Sequence, residues 1–75
     1  MRYYIEADNF SHTTEGDDPY DAVVNMYTER GFEEVSLDEQ HMAVSIPTAS
    51  TSLSSNVEVR GEDGSHTIVP VRAVG

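Results

Sequence analysis

Apolar and polar residues alternate from the first residue onward. Met1, Tyr3, Ile5 and Ala7 fall on one side of an extended segment and Tyr4 on the other, so residues 1–7 are predicted to form a half-buried strand. Asp8 and Asn9 signal a turn, and residues 10–14 can run back as a second arm with Phe10 inward. The period then changes. Tyr20, Val23, Val24 and Tyr27 follow the i, i+3, i+4, i+7 spacing of a buried helical stripe. Asp18 is suited to cap that helix, Pro19 to open it, and Asp21 to sit in its positively polarised first turn. Gly31 suits the left-handed residue that ends it, with Phe32 as the accompanying apolar contact, which predicts a helix over residues 19–30.

Residues 32–37 are predicted as a short strand or an extended connection. Residues 42–46 alternate clearly and close at Pro47. Six of the eight residues from 48 to 55 are Ser or Thr, the composition of a mobile loop. Residues 56–60 alternate again, Gly61, Glu62, Asp63 and Gly64 make a hairpin turn, and residues 65–69 return. Pro70 is expected to mark a sheet edge or the end of hydrogen bonding, and such an edge would permit a homodimer. The order is β-β-α-β-β-β-β. It predicts a single α+β domain over residues 1–75, an antiparallel sheet with one helix packed across it.

Composition narrows what such a domain can do. The chain has 75 residues, one small core's worth, and no cysteine, which excludes disulfides, thiolate metal sites and a cysteine nucleophile. Glu6 interrupts the start where a secretory signal would turn apolar, and no stretch approaches the ~20 apolar residues that span a bilayer. A cytoplasmic setting is expected. Fourteen acids oppose four arginines, with no lysine, for a net charge of −10. Phosphate contacts with nucleic acid and attraction to anionic membranes are therefore disfavoured. Residues 1–39 hold eleven of the acids and two arginines, a net of −9, and residues 40–75 the remaining −1, which suggests one acidic and one nearly neutral face.

Candidate chemistry is sparse. His12, His41 and His66 show none of the i+2, i+3 or i+4 pairings of metal sites, and the acids around Asp17 lack EF-hand spacing. No GxSxG elbow frames a serine, and the Gly61 to Gly64 turn lacks phosphate-loop spacing. No catalytic residue, metal or cofactor is expected, and the chain reads as non-enzymatic. The remaining signal is the acidic set. Asp17, Asp18 and Asp21 cluster at the helix start, and Glu33, Glu34, Asp38 and Glu39 follow the helix. Acids on alternate strand positions lie about 6.6 Å apart, and on successive helical turns about 5–6 Å, separations like those of successive backbone phosphates. Such a face can enter a groove built for nucleic acid, steered by its field. Tyr4, pointing outward, is a candidate anchor. These eight residues are the expected partner-binding set.

In size, acidity and lack of catalytic features the chain resembles the small acidic proteins with which viruses inhibit host nucleic-acid enzymes, such as anti-CRISPR and anti-restriction proteins. That resemblance implies an inhibitor acting in the host cytoplasm on a basic, nucleic-acid-binding protein. Two other readings stand beside it. A housekeeping domain of a halophile would be acidic through adaptation to concentrated salt, and absent lysine fits that view. The β-β-α-β order is similar to that of ubiquitin-like modifiers, which end in Gly-Gly for conjugation. This chain ends in Ala73, Val74 and Gly75, so conjugation is not expected.

Overall fold

The first alternating segment pairs as its pattern requires. A computed structural model describes residues 1–7, 10–47 and 56–74; the expected turn at Asp8 and Asn9 and the expected loop over residues 48–55 lie outside them. Strands β1 (Arg2–Ala7) and β2 (Phe10–Glu15) are antiparallel, with Tyr3 opposite Thr14 and Ile5 opposite His12. Tyr3 and Ile5 are buried and Tyr4 is exposed, as the period-two reading demands.

Helix α1 (Pro19–Glu29) starts and stops on the expected signals. The Asp18 side chain accepts a hydrogen bond from the Asp21 N–H at 2.8 Å, which satisfies one of the donors a helix start leaves unpaired. At the other end Gly31 adopts φ +95. The Gly31 N–H donates to the Thr28 carbonyl and the Phe32 N–H to the Tyr27 carbonyl, a complete Schellman closure. Phe32 meets Tyr27 edge to face at 5.4 Å.

The buried stripe of α1 is rotated from the expected one. Ala22, Val23, Met26 and Tyr27 are fully buried, whereas Tyr20 and Val24 pack only at the margin. Gly16 supplies the reason. A Cβ there would lie 2.7 Å from the Ala22 nitrogen, so the first helical turn rests directly on the Gly16 backbone with its smallest side chain inward.

Strands β3 (Ser36–Asp38), β4 (Ala43–Pro47), β5 (Asn56–Gly61) and β6 (His66–Val74) complete a six-stranded sheet ordered β2-β1-β5-β6-β4-β3. The expected all-antiparallel sheet is corrected at one junction: β4 and β6 are parallel, with Val44 beside Val71. β5 pairs with β1 and β6 rather than with β4, its neighbour in sequence, so β6 returns alongside β4 in the same direction. Period-two alternation is the same for either orientation, which is why the pattern could not distinguish them.

Pro70 follows the second of its two expected readings: it lies in an internal strand of the sheet and marks the end of pairing with β5. It is the last β6 residue paired with β5, and pairing with β4 begins one residue later, so the missing N–H falls where one ladder hands over to the next. Met42, expected within the β4 strand, instead sits in the preceding turn at φ +49 and is half exposed.

All the buried strand residues save one face α1. Tyr3, Ile5, Val57, Val59, Val69, Val71, Val44 and Ile46 form a single core with the helix stripe. Ala43 is the exception, pointing to the opposite face. That face carries no covering element among the described residues. Among the same residues no helix is long and apolar enough to cross a membrane.

Candidate functional site

Side-chain alternation sorts the charges by face. Tyr3, Val59 and Val71 are buried against α1, so Arg2, Arg60 and Arg72 project from the open face of the sheet. Only Arg30 remains on the helix side, its guanidinium 4.0 Å over the Phe10 ring. Three of the four cations thus leave the helix face of the sheet, although Arg2, opposite Glu15, still lines a groove with Asn25, Thr28 and Glu29 of α1. Of the expected acids, Asp17, Asp18 and Asp21 share the helix N-terminus, whereas Glu33 and Glu34 follow its C-terminal end.

Asp17, Asp18 and Asp21 come together with Val24 and Leu37 around a concavity of about 290 Å³. The Asp21 carboxylate accepts from the Asp17 N–H at 2.9 Å while the Asp18 carboxylate caps the helix, so each has a structural duty as well as a charge. Leu37 of β3 reaches the helix start, the one residue of the post-helix segment that lines this concavity. The turn between β5 and β6 adds a charge that the sequence reading missed. Burial, and then the fields of Asp63, Asp18, Asp17 and Asp21, raise the Tyr3 phenol above its ordinary value, which places Asp63 in the same electrostatic neighbourhood. Asp63 lies 60 residues from Tyr3 in sequence, and the β1–β5 register, with Tyr3 opposite Gly61, brings it near.

The remaining expected residues separate into three groups. Glu33, Glu34 and Glu39 are exposed, with no hydrogen-bonding or ionic partner among the described residues. Glu34 holds φ +58, a left-handed turn that carries its side chain outward. Asp38 is no free acid. It accepts from the Gln40 and His41 N–H groups and pairs with the His41 ring at 2.7 Å, bonds that hold its carboxyl below the usual value with the His41 ring contact leading, and it also meets Arg72 at 3.5 Å. Tyr4 is exposed, but on the open sheet face between Thr13 and Arg60, with the sheet separating it from the helix acids. One flat partner surface could not touch both.

Each histidine pairs with a different carboxylate: His12 with Glu29 at 3.0 Å, His41 with Asp38 and His66 with Glu58 at 3.1 Å. Among the described residues no three His, Asp or Glu side chains converge in a way that could hold a metal ion. The His12 contact belongs to a larger clamp. The Thr14 hydroxyl donates to the same Glu29 oxygen at 2.9 Å, and the two bonds, His12 first, lower the Glu29 carboxyl below its usual value. This ties the last turn of α1 to β2.

No protein-family model matches the chain, and neither a curated protein nor a solved structure provides a match. The resemblance to virus-encoded inhibitors therefore rests on size, charge and the lack of catalytic features in the sequence.

Proposed function

We propose that this chain is a non-enzymatic binding protein whose acidic surface occupies a basic, nucleic-acid-binding site on another protein and blocks it. The observation that supports this reading is the segregation of charge. Three of four arginines project from the open sheet, while Asp17, Asp18 and Asp21 surround one concavity and Glu33, Glu34 and Glu39 are exposed without a partner among the described residues. Solvated, unpaired carboxylates retain their full field, which speeds encounter with a cationic partner and excludes anionic ones.

Glu33, Glu34 and Glu39 are the probes, because Asp38 is committed to its turn and Asp18 to the helix cap. The immobilised chain should recover a basic nucleic-acid-binding protein from cell lysate at about 150 mM salt and lose it at about 1 M. The triple variant E33K/E34K/E39K should fold and bind the recovered protein at least tenfold more weakly, about 1.4 kcal/mol. Recovery that ignores salt, or a folded triple variant with unchanged affinity, would refute the mechanism.

The same unpaired acids favour a second reading, salt adaptation, in which the carboxylates serve a concentrated-salt solvent. Thermal melts in about 0.1 M and about 3 M KCl separate the two. A mimic is folded at the lower salt, whereas a salt-adapted domain needs the higher.

A further inference from the structure

Among the described residues the β2 strand is an edge of the sheet and pairs only with β1. Which of its backbone groups are free follows from the ladder. Gly16 and Met1 exchange both hydrogen bonds, Gly16 N–H to the Met1 carbonyl and the Met1 amino group to the Gly16 carbonyl, each 3.1 Å. In an antiparallel pair bonded and non-bonded positions alternate. Thr14, His12 and Phe10 therefore direct their backbone groups toward β1, while Glu15, Thr13 and Ser11 direct theirs outward. Asn25 confirms the phase, since its side-chain amide donates to the Glu15 carbonyl at 2.9 Å, closing the edge at that end. Among the described residues nothing pairs with the N–H and C=O groups of Ser11 and Thr13, which form an open ladder, and both residues are exposed.

A groove of about 470 Å³ runs beside this edge. Thr13, Thr14 and Glu15 form one side, and Asn25, Thr28 and Glu29 of α1 form the other. Edge strands are normally blunted by lysine, proline or a bulge. β2 has none of these, and its register with β1 is unbroken from Glu15 to Phe10.

We propose that β2 is a strand-addition site, in which an extended basic segment of a partner protein pairs with Ser11 and Thr13 and lays alternate side chains against α1. The mode is β-augmentation with a helix as the second wall. Charge selects the occupant. Glu15 and Glu29 outnumber the one lining cation, Arg2, and the chain as a whole carries −10. One Glu29 oxygen is bound by His12 and Thr14, and the low carboxyl value keeps the group ionised for a cation. The same net charge opposes β2-to-β2 pairing of two copies, each of which would also bring Glu15. The proposal rests on the reading of the chain as a binder of a basic partner, but uses a surface other than its acidic probes.

In an antiparallel addition, partner residues opposite Ser11 and Thr13 present their N–H groups to β2 and their side chains to the open face. Those between them face α1 and Glu29. The probe is an end-blocked heptapeptide of alternating arginine and valine, with two controls N-methylated on every valine or on every arginine. The unmodified peptide should bind and protect the Ser11 and Thr13 amides from hydrogen exchange. The valine-methylated peptide should bind at least about tenfold more weakly and the arginine-methylated one as tightly as the parent. Thr13→Pro, whose lost N–H faces the open edge, should abolish binding, while E33K/E34K/E39K, outside the groove, should keep the Ser11 and Thr13 amide protection and the ranking of the three peptides even where the lower net charge weakens all of them. That pattern keeps failure of the acidic-face mechanism distinguishable from failure of this one. Absence of binding, equal binding by all three peptides, unprotected Ser11 and Thr13 amides, or a homodimer of the free chain through β2 would overturn the proposal.

Discussion

Replacing Glu29 by glutamine tests whether the clamp between α1 and β2 stabilises the fold. The carboxylate accepts from His12 and from the buried Thr14 hydroxyl. A dry hydrogen bond to a charged group contributes about 1.5–3 kcal/mol, against about 1 kcal/mol for a neutral one. The Glu29 and His12 side chains are 53% and 28% exposed, so solvent screens their contact to at most about 1 kcal/mol. The amide oxygen of the replacement can still accept from Thr14, so that bond loses only its charge assistance, about 0.5–1 kcal/mol. One effect opposes these. Glu29 occupies the last helical turn, where a negative charge faces the negative end of the helix dipole, and its removal relieves about 0.3–0.5 kcal/mol. The balance is a loss of about 1 kcal/mol, or ~4–8 °C in Tm for a domain of this size.

The sign with pH follows from the carboxyl being held low. Its stabilisation is present above the ordinary glutamate value of 4.5 and is lost as pH falls through the lower folded value. Thermal melts of wild type and Glu29→Gln near pH 7 should therefore differ, and the gap should close as Glu29 protonates. Glu39→Gln removes an exposed acid without a partner and corrects for general relief of charge repulsion, within about 0.5 kcal/mol. Equal stability of Glu29→Gln and Glu39→Gln near pH 7, or a gap that persists to acid pH, would refute the reasoning.

Three further expectations concern the core and the helix ends. Met26→Ala empties a fully buried site and should cost about 2–5 kcal/mol, a large share of the roughly 4–11 kcal/mol expected of this length, while Val24→Ala at the margin should cost less, read by urea titration. Gly16→Ala forces a Cβ against the Ala22 backbone and should destabilise by about 1–3 kcal/mol, as overpacking does, with calorimetry as the check. Asp18→Ala should cost about 1 kcal/mol and Asp18→Asn much less, because the cap needs an oxygen and not a charge, a ranking that helix-sensitive circular dichroism melts can establish.

Local chemistry was legible in the residues themselves. Asp18, Pro19, Gly31 and Phe32 determine where α1 begins and ends, since capping and a left-handed closure depend on neighbours within one turn. The alternation around Ile5, Val44, Val57 and Val69 likewise determines which side of each strand is buried, and so sends Tyr4 outward. The excess of acid in the first 39 residues was equally plain. Tertiary structure decided the rest, because it depends on which distant segments meet. The β1–β5 and β4–β6 pairings make the sheet mixed, put Pro70 inside it and bring the field of Asp63 to the Tyr3 phenol. The contact of Gly16 with Ala22 turns α1 so that Met26 is buried in preference to Val24. The Arg72, His41 and Asp38 contacts convert an apparent binding acid into a structural one. Finally, the phase of the β1–β2 ladder, set by the Met1 and Gly16 exchange, leaves Ser11 and Thr13 facing outward. A hydrophobic period specifies faces; only the register between strands specifies edges.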